Sequence, residues 1–316
     1  MKPNISVLIP AYNEESFISK CLESVKSQSY PVDRYEIIVM DNGSTDRTKE
    51  IAESMGVRVL NAEGLSIGGV RNLGAEVAEG EIFAYIDADC IAQPNWLFNG
   101  SEFLSGVSNV AAVGGRCFLP NNSTWVQRAW GWKEVHAGTQ SVDILSTGSF
   151  FVKRDAFFRV GGFNPRLVAG EDTEISRKLK EEGVSLLLSS AVGVVHLGYP
   201  SSIREFCARQ IWQSTDYLSS TKKIIDPVFV MVHLFSIFIF ISAFSILFQK
   251  TRNGAMLFFG ATVIIAIALT LFRHIKLKRK LEVVMFLQYA FLNYLYLASR
   301  SIGLIKSYFR SFIGKS

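Results

Sequence analysis

Short β-branched apolar runs alternate along the first part of the chain with stretches whose apolar positions recur at helical spacing, and beyond Asp226 the apolar positions merge into long uncharged runs. Ile5-Ser-Val-Leu-Ile9 stops at Pro10, the mark of a buried strand feeding a loop. Ile18, Leu22 and Val25 then fall on one helix face. Glu36-Ile-Ile-Val-Met40 predicts a second strand, running into Asp41-Asn-Gly-Ser-Thr-Asp46, a turn-forming segment whose Ser and Asp are N-cap candidates. The beat returns at Arg58-Val-Leu60, Ile82-Phe-Ala-Tyr-Ile86, Phe150-Phe-Val152 and Val192-Gly-Val-Val-His196, with a helix over 174–182 closed by Gly183. Residues 114–148 are less regular. Strands alternating with helices predict an α/β, Rossmann-like, mostly parallel sheet with right-handed crossovers. Ligands of such sheets lie beyond the carboxyl ends of the strands, where the polar segments after Ile9, Met40 and Ile86 fall.

The tail has a different grammar. Residues 228–248 and 255–272 offer about 21 and about 18 uncharged positions, near the roughly 20 that cross a bilayer as a helix. A third apolar stretch, about 281–305, carries Gln288 and Asn293, and Glu282, Tyr289, Tyr296 and Gly303 recur every seven residues beside Asn293 and Arg300. One face is therefore more polar, and both a third crossing and an in-plane amphipathic helix stay open. The chain divides into a catalytic domain, 1–222, and a membrane region, 223–316.

Charge sharpens this division. The net charge is +5, yet 273–316 alone holds nine Lys or Arg and one acid, Glu282. The basic excess belongs to the membrane-proximal tail, which argues against nucleic acid as a partner. Arg273, Lys276, Lys278, Arg279 and Lys280 follow the second run, against Lys250 and Arg252 at the hairpin tip. The positive-inside rule then places the tip outside and the catalytic domain in the cytoplasm of an integral protein of the cell membrane. The first apolar run is too short for a signal peptide. Cys21, Cys90, Cys117 and Cys207 show no metal-ligand spacing and read as thiols of a reducing compartment.

The chemistry concentrates at Asp87-Ala-Asp89, which follows a predicted strand and precedes a loop. Two carboxylates on one turn repel unless a cation joins them, and hard divalent ions, Mg²⁺ or Mn²⁺, suit such oxygens together with substrate phosphates.

Ser6-Val-Leu-Ile-Pro-Ala-Tyr-Asn-Glu14, Met40-Asp-Asn-Gly-Ser-Thr-Asp46, Ala-Tyr-Ile-Asp-Ala-Asp89, Gly161-Gly-Phe163 and Gly170-Glu-Asp-Thr173 occur in this order. Together they resemble the pattern of glycosyltransferase family 2, over roughly residues 4–215. The resemblance implies a GT-A fold and a metal-dependent hexosyltransferase that uses a nucleotide diphosphate sugar, UDP- or GDP-linked. It implies that Pro10, Ala11, Asn13 and Glu14 line the nucleotide pocket and that Asp41 accepts a hydrogen bond from the base. Asp89 would be the main metal ligand, Asp87 would hold ribose or a metal-bound water, and His196 would complete the metal shell, with a packed or hydrogen-bonded strand-end histidine as the alternative. Arg71, in Gly69-Val-Arg-Asn-Leu-Gly74, matches a basic donor-side position; its guanidinium suits a phosphate or nucleobase, with a surface salt bridge as the alternative.

By the same resemblance Asp172 is the general base of an inverting transfer, with Glu171 orienting it or shifting its proton affinity, and a helix N-cap as the bland alternative. Arg209 and Trp212 match part of the Gln-x-x-Arg-Trp element of processive synthases. Ala208 and Ile211 depart from it, which argues against processivity and leaves Trp212 to stack on an acceptor sugar or to pack in a core. Trp125, Trp130, Trp132 and His136 occupy the variable acceptor region. The expected acceptor is a hydroxyl of a lipid-linked or membrane-proximal glycan; the alternative is a polyprenyl phosphate, already negative and needing no base.

Overall fold

The structure is a computed structural model that describes residues 4–106, 110–131, 138–167, 170–214, 227–247, 252–276 and 282–313. Trp132, His136 and the basic residues 278–280 lie outside these. The chain forms two compact units, one of residues 1–121 and 135–198 and the other of residues 122–134 and 199–316.

The first unit is a nine-stranded sheet. Its strands are β1 (Ile5–Ala11), β2 (Tyr35–Asp41), β3 (Arg58–Asn61), β4 (Ile82–Ile86), β5 (Cys90–Ala92), β6 (Val110–Phe118), β7 (Thr139–Ser141), β8 (Ser149–Lys153) and β9 (Ser185–His196). Their order is β3-β2-β1-β4-β8-β6-β9-β5, with β7 pairing β9. Helices α1 (Ile18–Lys26), α2 (Thr48–Ser54), α3 (Ile67–Val77), α4 (Trp96–Gly106), α6 (Arg154–Arg159) and α7 (Glu171–Glu181) complete this unit. The short α5 (Trp125–Trp130) falls in the second unit.

Parallel pairing holds where strand and helix alternate, from β1 to β4, and again between β6 and β9. Beyond β4 the sheet turns mixed: β8 runs antiparallel to β4 and β6, and β5 and β7 run antiparallel to β9. Only a long crossover returns a chain in the same direction, whereas β5 follows β4 after a three-residue turn and ends beside β9. Strands β1 and β4 are buried on both faces, which is why their sequences are continuous apolar runs instead of alternating ones. One face packs Ile18, Leu22 and Val25 of α1 with Trp96 and Leu97 of α4; the other packs Val70 of α3 with Phe157 and Phe163.

The register fixes the functional edge. Ala11 lies opposite Asp41, and Leu8 opposite Tyr85, so the loops after β1, β2 and β4 leave the same side of the sheet.

The second unit adds α8 (Ile203–Ser214), α9 (Pro227–Leu247), α10 (Arg252–Lys276) and α11 (Val283–Ile313). Within α9 and α10, 227–246 and 254–275 are long and apolar enough to cross a membrane. Polar side chains pair between these helices: Ser236 with Ser301 at 2.8 Å, Asn293 with Thr270 at 2.9 Å, and Ser242 with the Ala255 carbonyl at 2.9 Å. The outward positions, such as Phe240, Ile246, Leu257 and Ile264, are apolar, the arrangement suited to a lipid solvent.

Helix α11 runs 31 residues, about 46 Å. Its polar stripe of Tyr289, Asn293 and Tyr296 is buried inside the unit, whereas Val283, Leu287, Phe291, Ile302, Ile305 and Phe309 face outward. That polar side meets neighbouring helices of the unit.

Candidate active site

The loops after β1 and β2 are zipped together. Asn42 N donates to the Ala11 carbonyl at 2.9 Å, Asn13 N to Ser44 Oγ at 2.9 Å, Thr45 N to Asn13 Oδ1 at 2.8 Å and Glu14 N to Thr48 Oγ1 at 2.7 Å. Asn13 has φ of 56°, a left-handed conformation that Asn tolerates better than most residues. Asn13 thus acts as a strut between the two loops. Pro10 and Ala11 end the buried β1 strand beside Asp41.

Asp41 is 4% exposed. Its Oδ2 accepts from Ser44 N at 3.1 Å, while Oδ1 is buried without a hydrogen-bond partner among the described residues. A buried carboxylate oxygen with unused lone pairs is an acceptor prepared for a donor from outside the chain.

Asp87 and Asp89 follow β4. Strand β5 pairs with β9 so that Cys90 opposes His196, which brings Asp89 Oδ2 to 3.6 Å from His196 Nε2. Leu197 N donates to the Asp89 carbonyl at 2.8 Å and locks the turn. Asp89, Cys90 and His196 each offer one ligand atom within a 4.8 Å cluster. Burial foremost, then the charges of Asp87 and Asp89, push the Cys90 thiol well above its ordinary range, so it stays protonated, its Sγ 3.7 Å from Asp89 Oδ1. What remains is a carboxylate and an imidazole whose spacing a divalent ion at about 2.1 Å from each would bridge.

Further negative charge gathers here. The buried Cys21 thiol is pushed up by burial first and then by the charges of Asp89, Asp87 and Glu14, which places all three carboxylates around it. This edge therefore favours a cation.

Gly198 closes over the cluster. A Cβ on this residue would lie 1.8 Å from Asp89 Oδ2 and 2.8 Å from its Cγ. Gly198→Ala is expected to displace the Asp89 carboxylate and cut activity at least about 100-fold. Isothermal titration with Mn²⁺ and a steady-state assay check this; near-normal values for both would refute it.

Arg71 stands on α3 and is 3% exposed. Its NH2 donates to Asp87 Oδ1 at 3.1 Å and its NH1 to Glu171 Oε1 at 2.7 Å, with the Phe163 ring 5.6 Å from the guanidinium carbon. Arg71 is therefore not a surface salt bridge: NH1 and NH2 are engaged by carboxylates, and its buried Nε has no hydrogen-bond partner among the described residues. It is a buried tie between the Asp87 turn and α7. Removing one partner from such a pair costs about 3–5 kcal/mol, because the remaining charge stays buried.

Helix α7 starts after Gly170, whose φ of 86° makes the sharp entry. Glu171 and Asp172 occupy its first turn, so Asp172 lies inside the helix and not at the cap. Its Oδ1 accepts from Thr173 N at 2.6 Å and from Thr173 Oγ1 at 3.3 Å. Burial foremost, then the neighbouring Glu171 charge, raise its pKa; the Thr173 bonds and Arg71 oppose them. Asp172 is thus a more basic carboxylate than an exposed aspartate.

Arg209 and Trp212 lie on α8 in the second unit, and Trp212 is exposed. Trp125 and Trp130 lie on α5 of that same unit, where Trp130 packs against Phe206 and Tyr296. The roles of Gly198, Ser44 and Thr48 escaped the sequence reading. Gly198 had one signal, a glycine two residues after a strand-end histidine. The loop hydroxyls had none.

The family model described as Glycosyl transferase family 2 matches residues 6–168. Glycosyltransferase AglE of Haloferax volcanii is 35% identical over 208 residues, 63% of this chain and 68% of that protein. A Methanococcus voltae protein, dolichyl N-acetyl-alpha-D-glucosaminyl phosphate 3-beta-D-2,3-diacetamido-2,3-dideoxy-beta-D-glucuronosyltransferase, is 26% identical over 235 residues, 66% of this chain and 70% of its own. Among solved structures, mannosyltransferase PcManGT of Pyrobaculum calidifontis, in complex with GDP-Man and Mn²⁺, superposes with a TM-score of 0.59 at 18% identity, covering 96% of this chain and 88% of that one. GalNAc-T7 with UDP, GalNAc and Mn²⁺ follows at 0.53 and 18% identity, covering 69% and 51%. The likeness establishes a GT-A fold.

Proposed function

Because the chain belongs to glycosyltransferase family 2, we propose that it moves a hexosyl group, with inversion, from a UDP- or GDP-linked sugar to a hydroxyl of a lipid-linked or membrane-proximal glycan. The observation that carries this reading is the Arg71 tie, which holds Asp87 of the donor-side turn and Glu171 of the Asp172-bearing turn on one buried guanidinium. Donor and acceptor carboxylates are thereby held to one frame, as in-line displacement requires.

In this reading the free Oδ1 of Asp41 accepts an N–H of the base, and Pro10, Ala11 and the loop braced by Asn13 and Glu14 form the nucleotide wall. Asp87, oriented by Arg71, binds a ribose hydroxyl or a metal-bound water. Asp89 and His196 would hold Mg²⁺ or Mn²⁺; such an ion supplies positive charge that offsets the charge developing on the departing diphosphate. Asp172 takes the proton of the attacking hydroxyl, and Glu171, engaged by Arg71, raises its proton affinity. Exposed Trp212, with Arg209, offers a stacking face to an acceptor sugar. The Mn²⁺ in the complexes of PcManGT and GalNAc-T7 and the dolichyl phosphate-linked substrate that the Methanococcus relative is named for support the cofactor and acceptor classes. Helices α9 and α10 anchor the protein in the cell membrane, with the first unit in the cytoplasm.

A panel of nucleotide sugars tests this with full-length protein in detergent. One UDP- or GDP-sugar is expected to raise Tm and to be slowly hydrolysed with Mn²⁺, and both effects should vanish with EDTA. Failure of every nucleoside diphosphate sugar to do either would overturn the reading.

A further inference from the structure

Helix α10 leaves its apolar span through a charged residue with an unusual set of neighbours. Arg273, in the last turn of the span 254–275, is half-buried. Its guanidinium carbon lies 4.6 Å from the Tyr296 ring centroid and 5.5 Å from that of Trp130. NH1 donates to Oδ1 of Asn293, which is 1% exposed and itself donates to Thr270 Oγ1 at 2.9 Å. Tyr289 is also hydrogen-bonded to this guanidinium. No carboxylate forms an ion pair with Arg273 among the described residues. Rings, an amide and a phenol hold the cation in one place without cancelling its charge.

A second guanidinium packs on the same ring. Arg300 lies 4.5 Å from the same Tyr296 ring and donates to Gln210 Oε1 at 3.3 Å and Gln213 Oε1 at 3.2 Å, among its contacts. Two cations thus share one aromatic ring. A guanidinium has five N–H groups in a fork that matches phosphate oxygens. At the end of a membrane span, the anion at the right depth is the phosphate of a lipid.

We propose that Arg273, framed by Trp130, Tyr296 and Asn293, is the binding site for the phosphate group of the lipid that carries the acceptor. This rests on the reading of the chain as a transferase to a lipid-linked acceptor, and it assigns recognition of the carrier to the second unit. The polar stripe on α11 then has a purpose: it presents Asn293 and Tyr296 to the Arg273 guanidinium.

The test is thermal unfolding of the full-length protein in neutral detergent with undecaprenyl phosphate, undecaprenol or phosphatidylglycerol as probe. Undecaprenyl phosphate is expected to raise Tm by about 4 °C at saturation, and undecaprenol is not. Arg273→Gln should weaken the apparent affinity for undecaprenyl phosphate at least about tenfold, Arg273→Lys less, while both retain the Tm rise given by nucleoside diphosphate and Mn²⁺. Should Arg273→Gln fail to fold, Asn293→Asp supplies a near-isosteric internal counter-ion and should abolish the lipid response alone. An unchanged lipid response in Arg273→Gln or Asn293→Asp overturns the site. An equal response to phosphatidylglycerol overturns its assignment to the acceptor carrier and leaves a bilayer-phosphate contact. Loss of the nucleotide response in the wild type strikes the transferase reading instead, so the two failures are distinguishable.

Discussion

Replacing Asp89 by Asn is expected to lower turnover roughly 10³-fold while leaving the fold intact. Asn keeps the side-chain volume, and the hydrogen bond from Leu197 N to the residue 89 carbonyl involves only backbone. What disappears is one full negative charge at a position 8% exposed, next to His196 and under Gly198. A neutral amide beside an imidazole is a poor site for a hard divalent ion, so the charge on a departing diphosphate goes unmatched. The measurement is kcat against Mn²⁺ concentration, with Tm as the control for folding. Asp87→Asn should cost less, since Arg71 keeps its bond to Glu171. Turnover within tenfold of wild type in both variants would sink the metal-site assignment.

Asp172→Asn should lower kcat by about 10²–10⁴ if the acceptor is a hydroxyl, because a positioned base removes the proton as the new bond forms. A phosphate acceptor carries no such proton, and turnover would then stay near normal; that result would favour a polyprenyl phosphate acceptor. The pH profile carries a second signature. The Asp172 pKa is raised by burial and by the Glu171 charge, so the base is lost by protonation at a higher pH than for an exposed aspartate. Wild-type kcat should therefore fall with decreasing pH through that raised value, on a limb absent from the residual activity of the variant. Linkage gives the sign for stability. A carboxyl whose pKa is higher folded than unfolded contributes stability below the unfolded value, and this is lost as pH rises through the folded value. At neutral pH the ionised Asp172 is thus a net cost, and Asp172→Asn should match or exceed the wild-type Tm. A lowered Tm together with lost activity would point to a structural role in α7.

Much of this arrangement was legible from local pattern. Strands β1, β2 and β4 are read from five-residue, largely apolar runs, and Asp41 and Asp87 follow because a run that ends in polar turn residues delivers them to the sheet edge. Strand β6 went unread: its Gly114-Gly-Arg-Cys117 half breaks the apolar run, and its pairing with β9 shifts register at Gly115 and Cys117. The helix of α5 was hidden within an irregular-looking stretch, although Thr124 and Gln127 form a complete capping box there.

By itself the sequence determined the composition of the acidic sheet edge and the two long apolar helices, since periodicity, residue type and loop position are local properties written into consecutive residues. Tertiary structure alone decided which of these residues meet. The β5–β9 register brought His196 to Asp89, the burial of α3 committed Arg71 to Asp87 and Glu171, and helix packing turned the polar stripe of α11 inward onto Arg273. The physical reason is common to all three: pairing across long separations depends on sheet register and helix rotation, which belong to the packed whole and leave no periodic trace in any one segment.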